Sequence, residues 1–379
     1  MVGNEDQWYS HLVLQGAKAW WADKNAQSLQ VANLQGLAAL TETKFRADVV
    51  VGHIPQGPLL EKAKAIAPVI VTASARFPNP GVPQVVSDDR AAGKMAADYL
   101  WKCGYRSFAF QHTTPSVYSD DRAEGFTNRL AELGATPRVL QLCSPPGSPP
   151  PGYPKTTQDH IDIQAIAALP RPVAVLAATD GIARILLDAA LAAGLRVPQD
   201  VAVLGVDDDH RENAYSPVSL SSILLPAYRV GIRASKLACK LAAGAEPPPA
   251  PIRIPPVGVI ARDSIETAVG GDALIKETLK TMTVHAGELF TIDELARKLQ
   301  TPRRTLERKF SEATGTSLHQ AWTRMRVDQA RMLFATTDLD NTTVASRVGL
   351  QDSRMLTLLF RRVTGETPRT IRRQFQEGY

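Results

Sequence analysis

Three short apolar runs in this chain each end in polar residues suited to holding a polyol. Ser107–Phe110 leads to Tyr118 and Arg122, Val173–Ala177 to Thr179 and Asp180, and Val201–Val206 to Asp207, Asp208 and Asp209. Carboxylates accept hydrogen bonds from sugar hydroxyls, arginine donates to hydroxyl and ring oxygens, and an aromatic face covers the apolar side of a pyranose. Asp207–Asp209 taken alone is equally a run of turn-formers. The ligand reading rests on its convergence with Arg122 and Asp180. A second set of groups lies near the C-terminus, where cations recur on two helix-period segments about fifty residues apart. Arginine pairs bidentately with a guanine edge and other cations hold phosphates, so this set suits duplex DNA.

The first set needs strands that end at one place. Strands are predicted at 29–33, 47–51, 68–72, 85–88, 107–110, 138–142, 173–177 and 201–206, with a last extended segment over 251–260. Helices are predicted between them at 8–21, 61–67, 91–103, 122–133, 158–169, 181–193 and 229–243. Short apolar strands alternating with helices indicate parallel sheets covered by helices. In open α/β sheets ligands sit beyond the carboxyl ends of the strands. About 260 residues suit two such lobes around one cleft, closed by a hinge. The Pro-rich run 145–154 reads as a loop in the second lobe, and 247–251 as a semi-rigid approach to the last strands.

The second set needs helices. In the first copy Ile292, Leu295, Ala296 and Leu299 recur at helical spacing, with Thr291 as N-cap and Glu294 completing a capping box. Thr301-Pro302 stops that helix and starts the next. Leu306 and Phe310 face inward, so Arg303, Arg304, Glu307 and Arg308 project outward, the build of a helix that enters a major groove. In the second copy Leu356 and Phe360 face in, while Ser353, Arg354 and Thr357 face out, with Arg361 and Arg362 beyond.

Charge follows the same division. From Asp272 onward there are 18 Lys+Arg against 13 Asp+Glu, while the remaining 25 of each sign cancel, so the whole excess of +5 lies in the C-terminal part. Cys103, Cys143 and Cys239 are far apart and odd in number, as in a reduced cytoplasmic protein. His210 beside three aspartates lacks a second His or Cys cluster, so no metal and no cofactor are expected. No run is apolar enough to span a bilayer. No P-loop, nucleophile elbow or Ser/Cys–His signature is present, which argues against an enzyme.

The doubled helix-turn-helix, the R-x-x-x-A-R-x-L run from Arg326 to Leu333 and the F-R-R-x-x-G-x-x-P-x-x-x-R run from Phe360 to Arg372 resemble the DNA-binding domain of AraC/XylS-family regulators. The resemblance places base contacts on Arg304, Glu307, Arg308, Ser353, Arg354 and Thr357. Asn341, Leu350 and Leu358 depart from that pattern: the family has an apolar staple, Phe and a polar or basic reader there. The N-terminal part resembles the periplasmic-binding-protein-like effector domain of LacI-type regulators. The matching pieces are V-S-D-D-R-A-A-G at 86–93, D-R-A-E-G-F at 121–126, T-D-G-I-A-R at 179–184 and VPQDVAVLGVDDD at 197–209. In that family the residues matching Arg122 and Asp207 contact ligand, with Thr179 and Asp180 nearby. The order of the two parts is similar to that of xylose-operon regulators. There a first β-strand precedes the helix at 8–21. Residues 1–7 are too few to supply it, so either the true start lies upstream, the favoured expectation, with Trp8 in the loop entering the cleft, or the first lobe lacks a core strand.

These readings combine into a two-lobed α/β domain over 1–265, a linker at 266–272 and an all-α domain with two helix-turn-helix motifs over 273–379. The function implied is a sugar-responsive transcription activator in the cytoplasm, a homodimer on a double-stranded operator that acts on RNA polymerase. The resemblance makes D-xylose the first effector to test. A different sugar or metabolite, and a ligand-independent architectural dimer, remain open alternatives.

Overall fold

The computed structural model describes residues 8–22, 34–41, 45–54, 57–76, 81–113, 116–140, 163–265, 273–285, 287–314 and 316–377. The strand expected at 29–33, the loop at 145–154 and the linker at 266–272 lie outside them, as do residues 1–7. The chain splits into two units; the main body of the first ends at Ile265 and that of the second begins at Glu266.

The first unit alternates helix and strand in chain order: α1 (Trp8–Ala22), α2 (Leu34–Thr41), β1 (Val49–Gly52), α3 (Pro58–Ile66), β2 (Val69–Thr72), β3 (Val85–Ser87), α4 (Asp89–Lys102), β4 (Ser107–Gln111), α5 (Val117–Glu132), β5 (Arg138–Leu140), α6 (Ile163–Ala167), β6 (Val173–Ala177), α7 (Asp180–Ala192), β7 (Val201–Val206), α8 (His210–Tyr215), β8 (Ser221–Leu224), α9 (Ala227–Ala242), β9 (Ile252–Ile254) and β10 (Gly258–Ile260). Among the described residues the strands form two lobes. In one, the parallel pairs β1-β2 and β3-β9 are joined by a parallel bridge between Thr72 and Gln84. In the other, six strands run β10-β8-β7-β6-β4-β5, all parallel except β10, which is antiparallel to β8. The chain therefore passes between the lobes three times, through α4, through α9 and through 255–257.

Every residue of β6 and β7 is buried, as expected of central strands covered by helices on both faces. Val173, Val175, Ala177, Val201 and Val203 pack with Ile182, Leu186, Leu187 and Ala190 of α7. In the other lobe Val50, Ile54, Leu60, Ile66 and Ile70 make a separate core.

Helices α2 and α8 are not expected from the sequence, and three further elements differ from the sequence reading. The helix expected from Arg122 begins at Val117 instead, with Asp120 in its first turn, where a carboxylate suits a helix N-terminus. The single extended segment at 251–260 is two strands in different sheets. Pro255 and Pro256 separate them, since neither can donate to a ladder. Strand β8 carries no apolar alternation at its start. Ser221 and Ser222 are fully buried there, and their hydroxyls donate to Arg262 O and Asp180 Oδ1.

Glycines set the helix crossing that matters most for the cleft. A Cβ at Gly93 of α4 would lie 2.1 Å from Arg122 O, and one at Gly125 of α5 would lie 2.1 Å from Arg90 O. The two helices thus cross backbone against backbone. Gly125→Ala is expected to lower stability by about 1–3 kcal/mol, the usual cost of overpacking a tight contact, checked by denaturant unfolding.

The second unit is all helical: α10 (Ala273–Val284), α11 (Ile292–Lys298), α12 (Arg303–Thr314), α13 (Leu318–Thr336), α14 (Asn341–Arg347), α15 (Ser353–Thr364) and α16 (Pro368–Glu377). Its helix starts are written locally. Thr291 with Glu294 and Ser317 with Gln320 form capping boxes, and Asp340 and Asp352 cap α14 and α15. Gly365, at φ 77°, closes α15 in the left-handed conformation. Leu295, Ala296, Leu306 and Phe310 share a core with Leu318 and Trp322 of α13. Further along α13, Phe334 meets Phe360 of α15 with ring centroids 5.8 Å apart. One long helix therefore serves both helix-turn-helix halves. Among the described residues no helix is long and apolar enough to cross a membrane.

Candidate functional site

Arg122 sits in the second turn of α5, and the α4–α5 crossing brings it against the start of α4. Its side chain is 5% exposed. Nε donates to Asp89 Oδ1 at 2.8 Å, Nη1 donates to the carbonyl of Ala178, and Nη2 lies 3.8 Å from Asp207 Oδ1. The Tyr118 ring lies under the guanidinium, 5.0 Å to its centroid. Four groups from four chain segments thus meet at the ends of β3, β4, β6 and β7. The Nη2 end of the guanidinium fork faces Asp207 at ion-pair range and makes no hydrogen bond at that distance.

The three consecutive aspartates have three different fates. Asp207 and Asp208 have φ of 111° and 51°, a left-handed backbone that ordinary residues avoid and that the surroundings must impose. The imposition is explicit. Asp207 N donates to Ile223 O at 2.9 Å, Asp208 N to Ser222 Oγ at 3.0 Å, and Asp209 N to Asp180 Oδ2 at 2.7 Å. Asp208 pairs with Arg262 at 2.7 Å. Asp209 caps α8 and pairs with Arg211 at 3.0 Å. Asp207 is left facing Arg122.

Asp180 is consumed by this scaffold. Its Oδ1 accepts from the Ser222 hydroxyl at 2.7 Å while Oδ2 holds the Asp209 amide. A Cβ at Gly205 would fall 1.9 Å from Asp180 Oδ1, so the glycine of V-L-G-V-D-D-D is what lets the carboxylate reach across. Thr179 caps α7 by accepting from Ile182 N at 3.3 Å. Asp180 therefore holds the loop that presents Asp207, and Thr179 fixes the start of the helix that carries Asp180.

Burial shapes the charges. It pushes the Asp207 carboxyl up to about 7, against the pull of Arg122. Burial likewise raises Asp180 well above the carboxylate range and raises Asp89 despite its bond to Arg122.

Trp8, half-buried at the start of α1, meets His210 edge-on at 5.5 Å and carries the Arg211 guanidinium at 5.6 Å. Beside it stands a residue the sequence reading missed. The Tyr9 hydroxyl bonds Ser87 Oγ at 3.1 Å, and burial, with Asp89 and Asp207 nearby, raises its pKa. Asp89 was missed too. The signals for it were its place within three residues of a strand end, as for Asp180 and Asp207, and its membership of V-S-D-D-R-A-A-G at 86–93.

In the second unit, Arg304, Arg308, Arg354 and Arg361 are exposed on the outer faces of α12 and α15. Arg308 pairs with Glu312 at 2.9 Å on the surface, a bond that exchanges readily for another acceptor. Arg303 is tied to Asp293 of α11 and to Glu307, each at 2.9 Å, so it braces the turn between the helices. Thr357 bonds the carbonyl of Ser353 at 2.9 Å, leaving both half-buried on α15.

Arg326, which opens the first sequence motif, and Arg372, which ends the second, clamp the scaffold. Arg326 donates to the carbonyls of Glu288 and Phe290, both at 3.2 Å, and lies over Trp322. Arg372 donates to Leu339 O at 2.6 Å and Asn341 Oδ1 at 3.2 Å, with its guanidinium 4.6 Å from the Phe334 ring centroid. Asn341 thus replaces an apolar staple by a polar one.

Known proteins fit this arrangement. Residues 97–265 match the family model of a periplasmic binding protein-like domain, and residues 295–374 that of a helix-turn-helix domain. The chain is 26% identical over 301 residues to the xylose operon regulatory protein of Haemophilus influenzae, covering 77% of this chain and 75% of that protein. It is 27% identical over 296 residues to the protein of the same name in Escherichia coli, covering 77% and 74%. Among solved structures, a xylose-binding transcription activator superposes with a TM-score of 0.58 at 22% identity, over 98% of this chain and 96% of that one. A LacI transcriptional regulator from a Rhodococcus species matches with a TM-score of 0.56 at 21% identity, over 70% of this chain and 97% of its own. The structural likenesses speak to the fold.

Proposed function

As a regulator of the xylose-operon type, with a periplasmic-binding-protein-like domain ahead of an AraC-type DNA-binding domain, this chain, we propose, is a transcription activator that responds to D-xylose or a related pentose. The observation that carries the sugar reading is the meeting of Asp89, Arg122, Asp207 and Tyr118 at the strand ends of the α/β unit. Asp207 accepts from sugar hydroxyls, the open part of the Arg122 fork donates to hydroxyl or ring oxygen, and Tyr118 and Trp8 cover apolar faces. Asp180, on the helix that Thr179 caps, positions the Asp207 loop. Binding without turnover suffices for such a site; it needs no cofactor and no metal.

The regulatory step is a change of lobe closure that reaches the DNA-binding helices of a homodimer in the cytoplasm and thereby its contact with RNA polymerase. Sugar drives that change only by its difference in affinity for the two states. The effector reading is tested by titration calorimetry of the full chain with D-xylose and with other pentoses and hexoses. Saturable binding of one pentose supports it, and the absence of heat with every sugar contradicts it.

On DNA, Arg304 and Arg308 of α12 read base edges, while Arg354 and Arg361 of α15, with Ser353 and Thr357, engage the second groove segment. Arg303 and Glu307 set the pitch of α12. Arg308→Ala is expected to weaken operator binding by about 1–3 kcal/mol and to relax preference at one base pair, the loss of one bidentate contact. Equilibrium binding to duplexes varied at each position measures both effects.

A further inference from the structure

The two helix-turn-helix halves are built to one frame but differ at one position. Arg308 of α12 stands two residues after buried Leu306 and two before buried Phe310. Leu358 of α15 stands two residues after buried Leu356 and two before buried Phe360. The frames coincide, so Leu358 occupies in the second half the place that Arg308 occupies in the first. It is also 66% exposed, and Met355, one turn earlier on the same stripe, is 39% exposed. One exposed leucine is ordinary on a protein surface, but Leu358 and Met355 lie together on the outward stripe of a helix placed to read DNA, where an apolar pair marks a contact surface.

The surroundings say what that partner is. Arg354 lies four residues before Leu358, and Arg361 and Arg362 lie three and four after it, all exposed. Residues three and four apart on a helix are neighbours, so the leucine is enclosed by cations one turn away on either side. A protein or lipid surface that buried Leu358 would have to desolvate those guanidinium groups as well. A nucleic-acid groove satisfies both at once, with phosphates for the arginines and an apolar base edge for the leucine. In the major groove the apolar edge is the thymine 5-methyl group.

We propose that the second half reads thymine through Leu358, with Met355 beside it, where the first half reads guanine through Arg308. The inference rests on the DNA-binding reading given above and names what α15 recognises. Leu358, an apparent gap among polar readers, then becomes a specificity-determining residue, and Arg354, Arg361 and Arg362 fix its register by holding the backbone.

The test begins with the full chain selecting duplexes from a random-sequence pool, with and without D-xylose. The selected duplex is then remade with deoxyuridine in place of thymidine, one position at a time, which removes only a methyl group. One such position is expected to weaken binding about fourfold, the worth of one buried methyl. Leu358→Ala should weaken the parent duplex by a similar factor and become indifferent to that change, whereas Arg308→Ala should keep the sensitivity. Leu358→Arg, which gives the second half the residue of the first, should shift the selected base there from thymine toward guanine. Because Leu358 projects into solvent, none of these changes threatens folding. A duplex that is bound but insensitive to uracil at every position would overturn the inference. So would a uracil effect that Leu358→Ala leaves unchanged. A pool from which no duplex is recovered would overturn the DNA-binding reading itself, and this inference with it.

Discussion

Arg122→Ala is expected to lower stability by about 3–5 kcal/mol and to abolish the effector response. Arg122 is the cation on which Asp89 and Asp207 converge, at 2.8 and 3.8 Å. Removing it leaves two carboxylates in a nearly closed site, together with an Ala178 carbonyl that has lost its donor. The loss is one of an uncompensated charge, so it should shrink at low pH, where those carboxyls take up protons. Arg122→Lys should recover part of the stability, because a charge returns, but not the response, because a point charge cannot serve Asp89, Ala178 and a ligand together. Denaturant unfolding at two pH values and sugar titration of the same proteins measure the two effects separately. A stable Arg122→Ala protein with a normal titration would contradict the role assigned here.

Asp207 gives the second large effect. Replacing it by alanine is expected to reduce sugar affinity by about 1.5–3 kcal/mol, the range for a hydrogen bond to a charged group. Its pH behaviour carries the sharper signature. Burial lifts the carboxyl from its ordinary value to about 7 in the folded protein. The native state therefore holds a proton that the unfolded chain has released. The stability this confers is present at acid pH and is lost as pH rises through about 7. A sugar hydroxyl that donates to the ionised carboxylate must displace that proton. Affinity should thus be near its maximum above pH 7 and fall by up to about tenfold for each unit below it. Asp207→Asn should flatten the profile over the same window. A wild-type affinity unchanged between pH 6 and 8 would place the ligand contacts elsewhere.

The architecture was readable from the sequence because its central strands are uniform. Val173–Ala177 and Val201–Val206 are buried along their whole length, and that burial appears in sequence as unbroken apolar runs between helices. The helical unit was readable for a different reason: caps and helix stops are local, so Thr291, Glu294 and Gly365 can be recognised a few residues at a time. Strand β8 was hidden because its burial rests on serine hydroxyls whose acceptors, Arg262 O and Asp180 Oδ1, lie about forty residues away in sequence. The cleft was readable as positions and not as partners. Asp180, Asp207, Asp208 and Asp209 look alike in a sequence. In the fold Asp180, Asp207 and Asp208 are distinguished by donors from remote elements, Ser222, Arg122 and Arg262, and Asp209 by the adjacent α8 backbone with Arg211. Asp89 was overlooked for the same reason, since only the Gly93–Gly125 crossing shows that it faces Arg122.

The central claim, that sugar in the α/β unit changes what the helical unit does on DNA, is tested most directly by operator affinity. Binding of the full chain to its selected duplex would be titrated with and without saturating D-xylose, for the wild type and for Asp207→Ala. The account predicts a change of about 5–150-fold in the wild type, corresponding to a coupling of about 1–3 kcal/mol, and none in Asp207→Ala, whose affinity without sugar stays that of the wild type. An operator affinity that is the same with and without D-xylose and every other sugar that binds the chain would contradict it.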